Sequence, residues 1–312
     1  MKAVPPTNPK LLAAPLVSVV VVTYNRAHEI ARCLDSIFLS TFTDFEVIVV
    51  DNASHDSTVP ILNDRFSGRI TLIEAGSNLM AAGGRNLGAK RAKGKLLAFI
   101  DSDNVVHPQM LEHLTAKMES DAGAGMVGPF MYYFVQPRRV WCGGADINFW
   151  TGKTTYLFAN QEHPDPPRQA PYEVGHIPNI FMCRVPDFVA LDGFFEPYQI
   201  MFEESDFAEK LKRHGKQIFI VPAARACHDV PILNDGSLRA FGLQSFDRAF
   251  LLSRNRVLFM KRNASFSQFV VFAFLFLPLF TAYYLKIILG HRRFDIARAY
   301  LLGVVRGLFW KT

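Results

Sequence analysis

Val17-Ser18-Val19-Val20-Val21-Val22-Thr23-Tyr24-Asn25-Arg26 opens with an almost unbroken β-branched run and stops abruptly at a polar cluster. A short apolar run rich in valine is the signature of a strand covered on both faces. The same figure recurs at Phe45–Val50, Ile70–Ile73 and Leu96–Ile100, with helix-like stretches such as Arg26–Ser40 and Gly83–Lys93 between. Strands and helices alternating at this spacing predict an α/β fold, a doubly wound and mainly parallel sheet. Ligands bind such sheets beyond the carboxyl ends of the strands. The residues there are Thr23-Tyr24-Asn25, Asp51-Asn52-Ala53-Ser54 and Asp101-Ser102-Asp103-Asn104. Three polar clusters are therefore expected on one rim of the sheet.

Beyond this half the pattern loosens from about Met126 to Phe181. It then gives an amphipathic helix at Phe202–His214 and an apolar strand at Gln217–Val221. A leader at 1–15, a sheet domain at 16–235, juxtamembrane helices at 236–265 and a membrane-associated tail at 266–312 are the expected divisions. Of 34 Lys and Arg and 28 Asp and Glu, ten bases and one acid fall in residues 254–312. What remains, 24 bases against 27 acids, leaves the domain slightly acidic. A nucleic-acid reader carries its positive charge on the folded domain, so nucleic acid is excluded as a partner. Bases flanking an apolar tail suit a membrane surface with anionic lipid. Cys33, Cys142, Cys183 and Cys227 are scattered without C-x-x-C spacing, which points to reduced thiols and a cytoplasmic compartment.

In order along residues 16–230, the motifs resemble the inverting glycosyltransferases of the GT-A fold, specifically family 2. The resemblance rests on Val17–Arg26, Val50-Asp51-Asn52-Ala53-Ser54, Asn78–Gly88, Phe99-Ile100-Asp101-Ser102-Asp103, Leu191-Asp192-Gly193-Phe194-Phe195, Glu203-Glu204-Ser205-Asp206 and His228. The Asn78–Gly88 stretch is most similar to rhamnosyltransferase-like and galactofuranosyltransferase-like branches. The resemblance implies a nucleotide-sugar donor and a glycan or glycolipid acceptor.

Each motif has a chemical reading. Asp101 and Asp103 offer hard oxygen ligands for Mg²⁺ or Mn²⁺, a cation that offsets charge building on a leaving diphosphate. The resemblance assigns Asp101 to the ribose and Asp103 to the metal, with His228 completing the shell. Asp51 is able to accept from a pyrimidine N–H and ribose hydroxyls, or else it caps the next helix with Ser54. By resemblance Thr23, Asn25 and Arg26 line the same nucleotide pocket. Gly83-Gly84 permits close backbone approach and Arg85 carries a planar set of donors. Family likeness points Arg85 and Asn86 at the donor sugar or diphosphate. Inverting transfer needs a base for the acceptor hydroxyl. Where the family presents Glu-Asp this chain has Glu203-Glu204, so the base is Glu204 by alignment or Glu203 if the longer side chain shifts the role. His176, Asn179 and Asp206 are expected on the acceptor side by analogy.

Phe266–Leu289 carries a single formal charge, Lys286, and is long enough to cross a bilayer. Basic residues flank both of its ends, and Pro278 divides it into halves too short to span. A re-entrant or interfacial hairpin with both ends cytoplasmic is the expected form, and a single spanning helix the competing one. An oligomer interface is the remaining use of such a segment. Phe294–Trp310 mixes apolar and basic residues as a helix in the headgroup plane does. The expected protein is a metal-dependent glycosyltransferase at the cytoplasmic face of the cell membrane. A non-catalytic scaffold and a sugar-nucleotide nucleotidyltransferase are the alternatives.

Overall fold

The protein is described here from a computed structural model covering residues 14–232 and 236–311, so the expected leader lies almost wholly outside the described residues. The N-terminal half contains β1 (Val17–Thr23), α1 (Ile30–Phe38), β2 (Phe45–Asp51), α2 (Thr58–Phe66), β3 (Thr71–Glu74), α3 (Met80–Ala89) and β4 (Leu96–Asp101). Its strands pair in parallel in the order β3-β2-β1-β4, as the repeated valine-rich runs predict. Val19 and Val21 pack on one face while Val20 packs on the other, and all three are buried. In register, Thr23 lies beside Asp51 and Val22 beside Asp101. The three polar clusters thus end on one rim.

The chain continues through β5 (Asn104–Val106), α4 (Met110–Ser120), β6 (Ala124–Tyr133), β7 (Val140–Cys142) and a hairpin of β8 (Ala145–Asn148) with β9 (Lys153–Tyr156). Then come β10 (Tyr172–Glu173), β11 (Phe181–Arg184), α5 (Val185–Ala190), α6 (Glu203–Arg213) and β12 (Gln217–His228). The sheet extends β4-β11-β6-β12-β10, with β11 antiparallel to both neighbours. The strand expected at Gln217–Val221 runs seven residues further, past a register shift at Val221/Arg225. Pro222 hides that continuation in the sequence, because a proline is tolerated in a strand where the ladder is interrupted. His228 therefore sits in the strand itself rather than after a linker. Antiparallel pairing with β5 sets it opposite Asn104, next to Asp103.

Two helices present the functional side chains. α3 starts at Met80, earlier than the sequence pattern suggests, and lies close on β1. A Cβ at Gly84 would stand 2.7 Å from Val22 Cγ1, and one at Gly88 2.4 Å from Val20 Cγ1. These glycines make room for the sheet, and so bring Arg85 down onto the rim. α6 is anchored by Phe207, whose ring lies 5.3 Å from those of Phe188 and Phe194.

The C-terminal part consists of α7 (Phe246–Asn263), α8 (Phe266–Val271), a π-helical turn at Phe272–Phe276, α9 (Leu277–Gly290) and α10 (Phe294–Leu308). Phe266–Gly290 is one continuous helix of 25 residues. The hairpin expected at Pro278 is not formed. The wide turn just ahead of the proline absorbs its missing N–H and its ring, as π-bulges do within helices. This helix runs back along α7, with Phe272 clustered near Met260 and Tyr284 near Arg256. α10 then lies against α7 through Gly303 and Gly307, where a Cβ would meet Phe250 O at 2.3 Å and Arg254 O at 2.8 Å. Phe266, Phe274, Phe294 and Phe309 are exposed, and the 266–290 helix buries few of its residues. By length and composition alone the 266–290 helix is able to cross a membrane.

Candidate active site

One cleft of about 1420 Å³ gathers the carboxyl ends of β1 and β4, the start of α6, the end of β12 and the inner faces of α7 and α9. Its centre is Arg85, which is 2 % exposed. Nη2 lies 2.6 Å from Asp101 Oδ1 and 3.0 Å from Glu204 Oε1, and Nη1 lies 3.0 Å from Glu203 Oε1. Arg85 was expected to reach a donor sugar or diphosphate; here its fork holds three acids from two elements, β4 and α6. A guanidinium is the group that can hold several carboxylates in fixed directions. One cation does not neutralise three anions, however. Burial, then repulsion from Glu204, pushes the Glu203 carboxyl well above the usual carboxylate range, against the pull of Arg85. Glu204 is also raised, chiefly by burial and against Arg85, with Asp101 adding to the rise. Glu204 keeps 12 % of its side chain accessible and Glu203 only 2 %.

Asp103 and His228 form the second group. Asp103 Oδ1 is buried, has no hydrogen bond, and stands 3.4 Å from His228 Nε2; Oδ2 is 3.5 Å from Arg26 Nη2. Burial works against the charged form, yet His228 and Arg26 outweigh it and hold the Asp103 carboxyl below its ordinary range. The His228 ring is pinned edge-on to Trp141 at 4.5 Å, and Asn179 Nδ2 lies 3.1 Å from its Nε2. Asn179 has a φ of 66° and donates its backbone N–H to Glu204 Oε1 at 3.3 Å. It thereby ties the two groups together. His176 also lines the cleft, and burial, with Lys212 nearby, pulls its imidazole down to about 3, so the ring is neutral.

Among the described residues, no three His, Cys, Asp or Glu side chains converge as a complete metal shell. Asp103 and His228 nevertheless fit a hard divalent cation. Such ions take one or two protein ligands and complete their shell with substrate phosphate and water. The unpartnered buried oxygen of Asp103 is what such a site requires.

Thr23 Oγ1, Asp51 Oδ1 and Asn52 Oδ1 are likewise buried without hydrogen-bond partners, all at the ends of β1 and β2. Thr23 and Asn52 line the cleft, whereas Asp51 lies just behind and accepts from Ser54 N–H at 2.9 Å. Three expected site residues are engaged elsewhere. Asn25 Oδ1 accepts from His55 N–H, joining the β1 and β2 loops. Asn86 donates to Phe194 O and Glu196 and accepts from Phe194 N–H, bracing the loop before α6. Asp206, expected on the acceptor side, is 1 % exposed and binds Tyr198, Arg262 and Asn263. It faces α7 because it stands three residues past Glu203 on the inner side of the helix.

The sequence reading missed what α7 contributes. Arg254 and Arg256 are not flanking charges for a membrane: they are 6 % and 9 % exposed. Asn255 is fully buried, and its Nδ2 lies 2.8, 2.9 and 3.1 Å from the carbonyls of Tyr198, Ile200 and Met201. Arg254 Nη2 donates to Pro197 O at 2.5 Å. This grip falls on a strained loop, since Gln199, Met201 and Phe202 have φ of 64°, 71° and 72° immediately before Glu203. A non-glycine residue in that region costs on the order of 1–3 kcal/mol and persists only where its surroundings impose it. The available signal was three polar residues, Arg254-Asn255-Arg256, interrupting an otherwise apolar helical run.

Residues 18–170, about half of the chain, match the glycosyl transferase family 2 model. The succinoglycan biosynthesis protein ExoO of Rhizobium meliloti is 25 % identical over 70 % of this chain and 58 % of its own length. The UDP-Glc:alpha-D-GlcNAc-diphosphoundecaprenol beta-1,3-glucosyltransferase WfaP of Escherichia coli is 37 % identical over 28 % of this chain and 36 % of its own length. The chain thus spans less than two thirds of these curated relatives. The mannosyltransferase PcManGT of Pyrobaculum calidifontis, solved with GDP-Man and Mn²⁺, superposes with a TM-score of 0.57 at 19 % identity, covering 96 % of this chain and 89 % of that one. The fold is of the GT-A type, as the strand pattern and motif order predict.

Proposed function

We propose that this protein is a metal-dependent, inverting glycosyltransferase that moves a hexose or deoxyhexose from a nucleotide diphosphate to a hydroxyl of a lipid-linked or membrane-proximal glycan. The observation that carries the reading is the meeting in one cleft of Asp103 with His228, and of Asp101, Glu203 and Glu204 around Arg85. The family match and the donor-bound relatives support it. Thr23 and Asn52, with Asp51 behind them, have unsatisfied acceptors suited to a nucleoside, and Arg26 stands beside Asp103 to take a phosphate oxygen. A divalent cation, Mg²⁺ or Mn²⁺, held by Asp103, His228 and diphosphate oxygens would offset the charge that develops on the leaving group.

Glu204 is the base in this proposal. It is the more accessible of the pair, and its raised affinity for a proton suits a group that takes one from a hydroxyl. The acceptor oxygen attacks the anomeric carbon as Glu204 takes its proton, and the diphosphate departs on the opposite face. Arg85 keeps Glu204 oriented and Asn179 holds it relative to His228. The 266–290 helix is proposed to lie in the plane of the cytoplasmic membrane face. It packs along α7, which is itself fastened to the loop before Glu203, so a perpendicular span would draw the catalytic support into the bilayer. An outward apolar face of this size suits a membrane surface.

The test is a donor panel scored by nucleoside diphosphate release with Mn²⁺ or Mg²⁺. At least one donor should turn over, Asp103→Ala should abolish release, and Glu204→Gln should depress transfer while sparing donor binding. No release from any nucleotide sugar in the presence of membrane-extracted acceptors would defeat the proposal.

A further inference from the structure

We infer that the α7 side of the cleft binds a lipid diphosphate, the carrier end of the acceptor, through Arg239, Arg248 and Arg256. The inference rests on the transferase reading above and names where its acceptor lies. Arg248, Leu252 and Arg256 stand four residues apart on α7, hence on one helix face, and all three line the cleft, as does Arg239. Arg256 is nine-tenths buried, yet its Nε and Nη1 have no hydrogen-bond partner. Its remaining contacts are Tyr284 Oη at 3.3 Å from Nη2 and the rings of Phe280 and Tyr284 at 4.9 and 5.2 Å from Cζ. Arg248 Nε is also buried without a partner. Burial, and then the nearby charges of Arg26 and Arg239, lower the pKa of Arg248.

Among the described residues, the acids lining the cleft are Asp101, Asp103, Glu203 and Glu204, all at the Arg85 and His228 end. Buried nitrogens of Arg248 and Arg256 that find no counter-ion among the described residues are unfavourable. A phosphate or diphosphate is their complement, because its oxygens match the guanidinium fork. The facing wall identifies what the anion is attached to. Phe276, Leu279, Phe280 and Tyr283 of the 266–290 helix form it, and Leu279 and Tyr283 remain 58 % and 52 % exposed. The same helix turns Phe274 and Leu275 outward. An apolar chain joined to the bound phosphates thus leaves the cleft along the surface proposed to meet the membrane.

The full chain in detergent is titrated calorimetrically with farnesyl diphosphate as a short probe. Inorganic diphosphate, farnesol, and UDP or GDP with Mn²⁺ are titrated in parallel. Farnesyl diphosphate should bind at least about tenfold more tightly than inorganic diphosphate or farnesol, and Arg256→Gln and Arg239→Gln should each weaken it about tenfold. Both variants should keep the wild-type affinity for the nucleoside diphosphate. Arg239 is exposed, so its variant carries the test if Arg256→Gln fails to fold. Equal binding of inorganic diphosphate, unchanged farnesyl diphosphate binding in the variants, or parallel loss of nucleotide would each overturn the inference. Failure of every nucleotide to bind while farnesyl diphosphate binds would instead remove the transferase reading.

Discussion

Replacing Asn255 with alanine tests whether α7 holds the proposed base in place. The amide has two N–H groups directed at three carbonyls, those of Tyr198, Ile200 and Met201. Its Oδ1 accepts from Arg254 Nε at 2.9 Å. Tyr198 O keeps the N–H of Ile200, so the carbonyls of Ile200 and Met201 are the ones left without this donor, at about 1–3 kcal/mol each. Water entering the small void restores part of that, so we expect Asn255→Ala to lose about 2–4 kcal/mol of stability. The catalytic effect should be larger than that loss implies. With the grip released, the left-handed conformations at Gln199, Met201 and Phe202 have less to impose them, and their relaxation moves the first turn of α6. A displacement of about 1 Å at a reacting group costs on the order of 10²-fold in rate. Urea unfolding at 25 °C measures the first quantity, and single-turnover transfer well below the melting temperature measures the second. Donor KM should be nearly unchanged, because Asp103 and His228 do not touch this loop. A folded Asn255→Ala enzyme that shows the stability loss but transfers at the wild-type rate would refute the positioning role. Should that variant not fold, Arg254→Gln, which removes the donors to Pro197, Tyr198 and Asn255 Oδ1 but leaves the Asn255 amide in place, gives the same reading.

Two further outcomes follow from contacts of similar directness. The transfer rate should rise with pH through the raised pKa of the Glu203–Glu204 pair, because the base acts only when ionised. Removing the cation favours the protonated acids, so Arg85→Gln should move the acid limb to higher pH and cost about 3–5 kcal/mol of stability, whereas Arg85→Lys should keep the limb nearer its wild-type position. An unmoved limb in Arg85→Gln would show that Arg85 does not control the base. Gly303→Ala would place a Cβ 2.1 Å from Ser253 Oγ and 2.3 Å from Phe250 O. Overpacking of about 1–3 kcal/mol should exceed the gain of about 1 kcal/mol in helix propensity and lower the melting temperature. Gly290→Ala, which meets nothing within 4 Å, is the control and should not lower it.

The sheet and its rim were legible because a parallel strand buried on both faces leaves a plain trace, a valine-rich run ending in polar residues. Thr23, Asp51 and Asp101 could be placed side by side before any coordinates, and the register bears this out. The resemblance already joined Asp103 to His228 as metal ligands, but the meeting of Arg85 with Glu203 and Glu204 was not foreseen. The first contact depends on the extension of β12 past Pro222, and the second on the approach of α3 through Gly84 and Gly88. Neither is a local property of the segments concerned. Asn25, Asn86 and Asp206 have intramolecular partners that the sequence did not show, for a related reason. A polar residue beside a motif has the same appearance in sequence whether it faces a ligand or braces the loop that does.

In the C-terminal helices the structure departs from the sequence expectation at two places, the buried Arg254-Asn255-Arg256 and the unbroken helix through Pro278. Charge next to an apolar segment was taken as a membrane flank, which is correct only if the helix bearing the charge is solvent-facing. Arg254, Asn255 and Arg256 are buried because a strained loop supplies carbonyls to receive two of them and the cleft receives the third. Long polar side chains are buried when a specific partner waits, and such partners are distant in sequence: Tyr198 is 57 residues from Asn255. The consequence reaches past assignment. α7 holds the loop before the base on one side and carries the arginine row on the other, while the 266–290 helix closes the same cleft and turns its outer face away from the domain. The outer helix is thus linked through the Tyr284–Arg256 contact to the helix that holds the loop before Glu203. In the proposed function, the membrane-facing surface and the base belong to one packed unit.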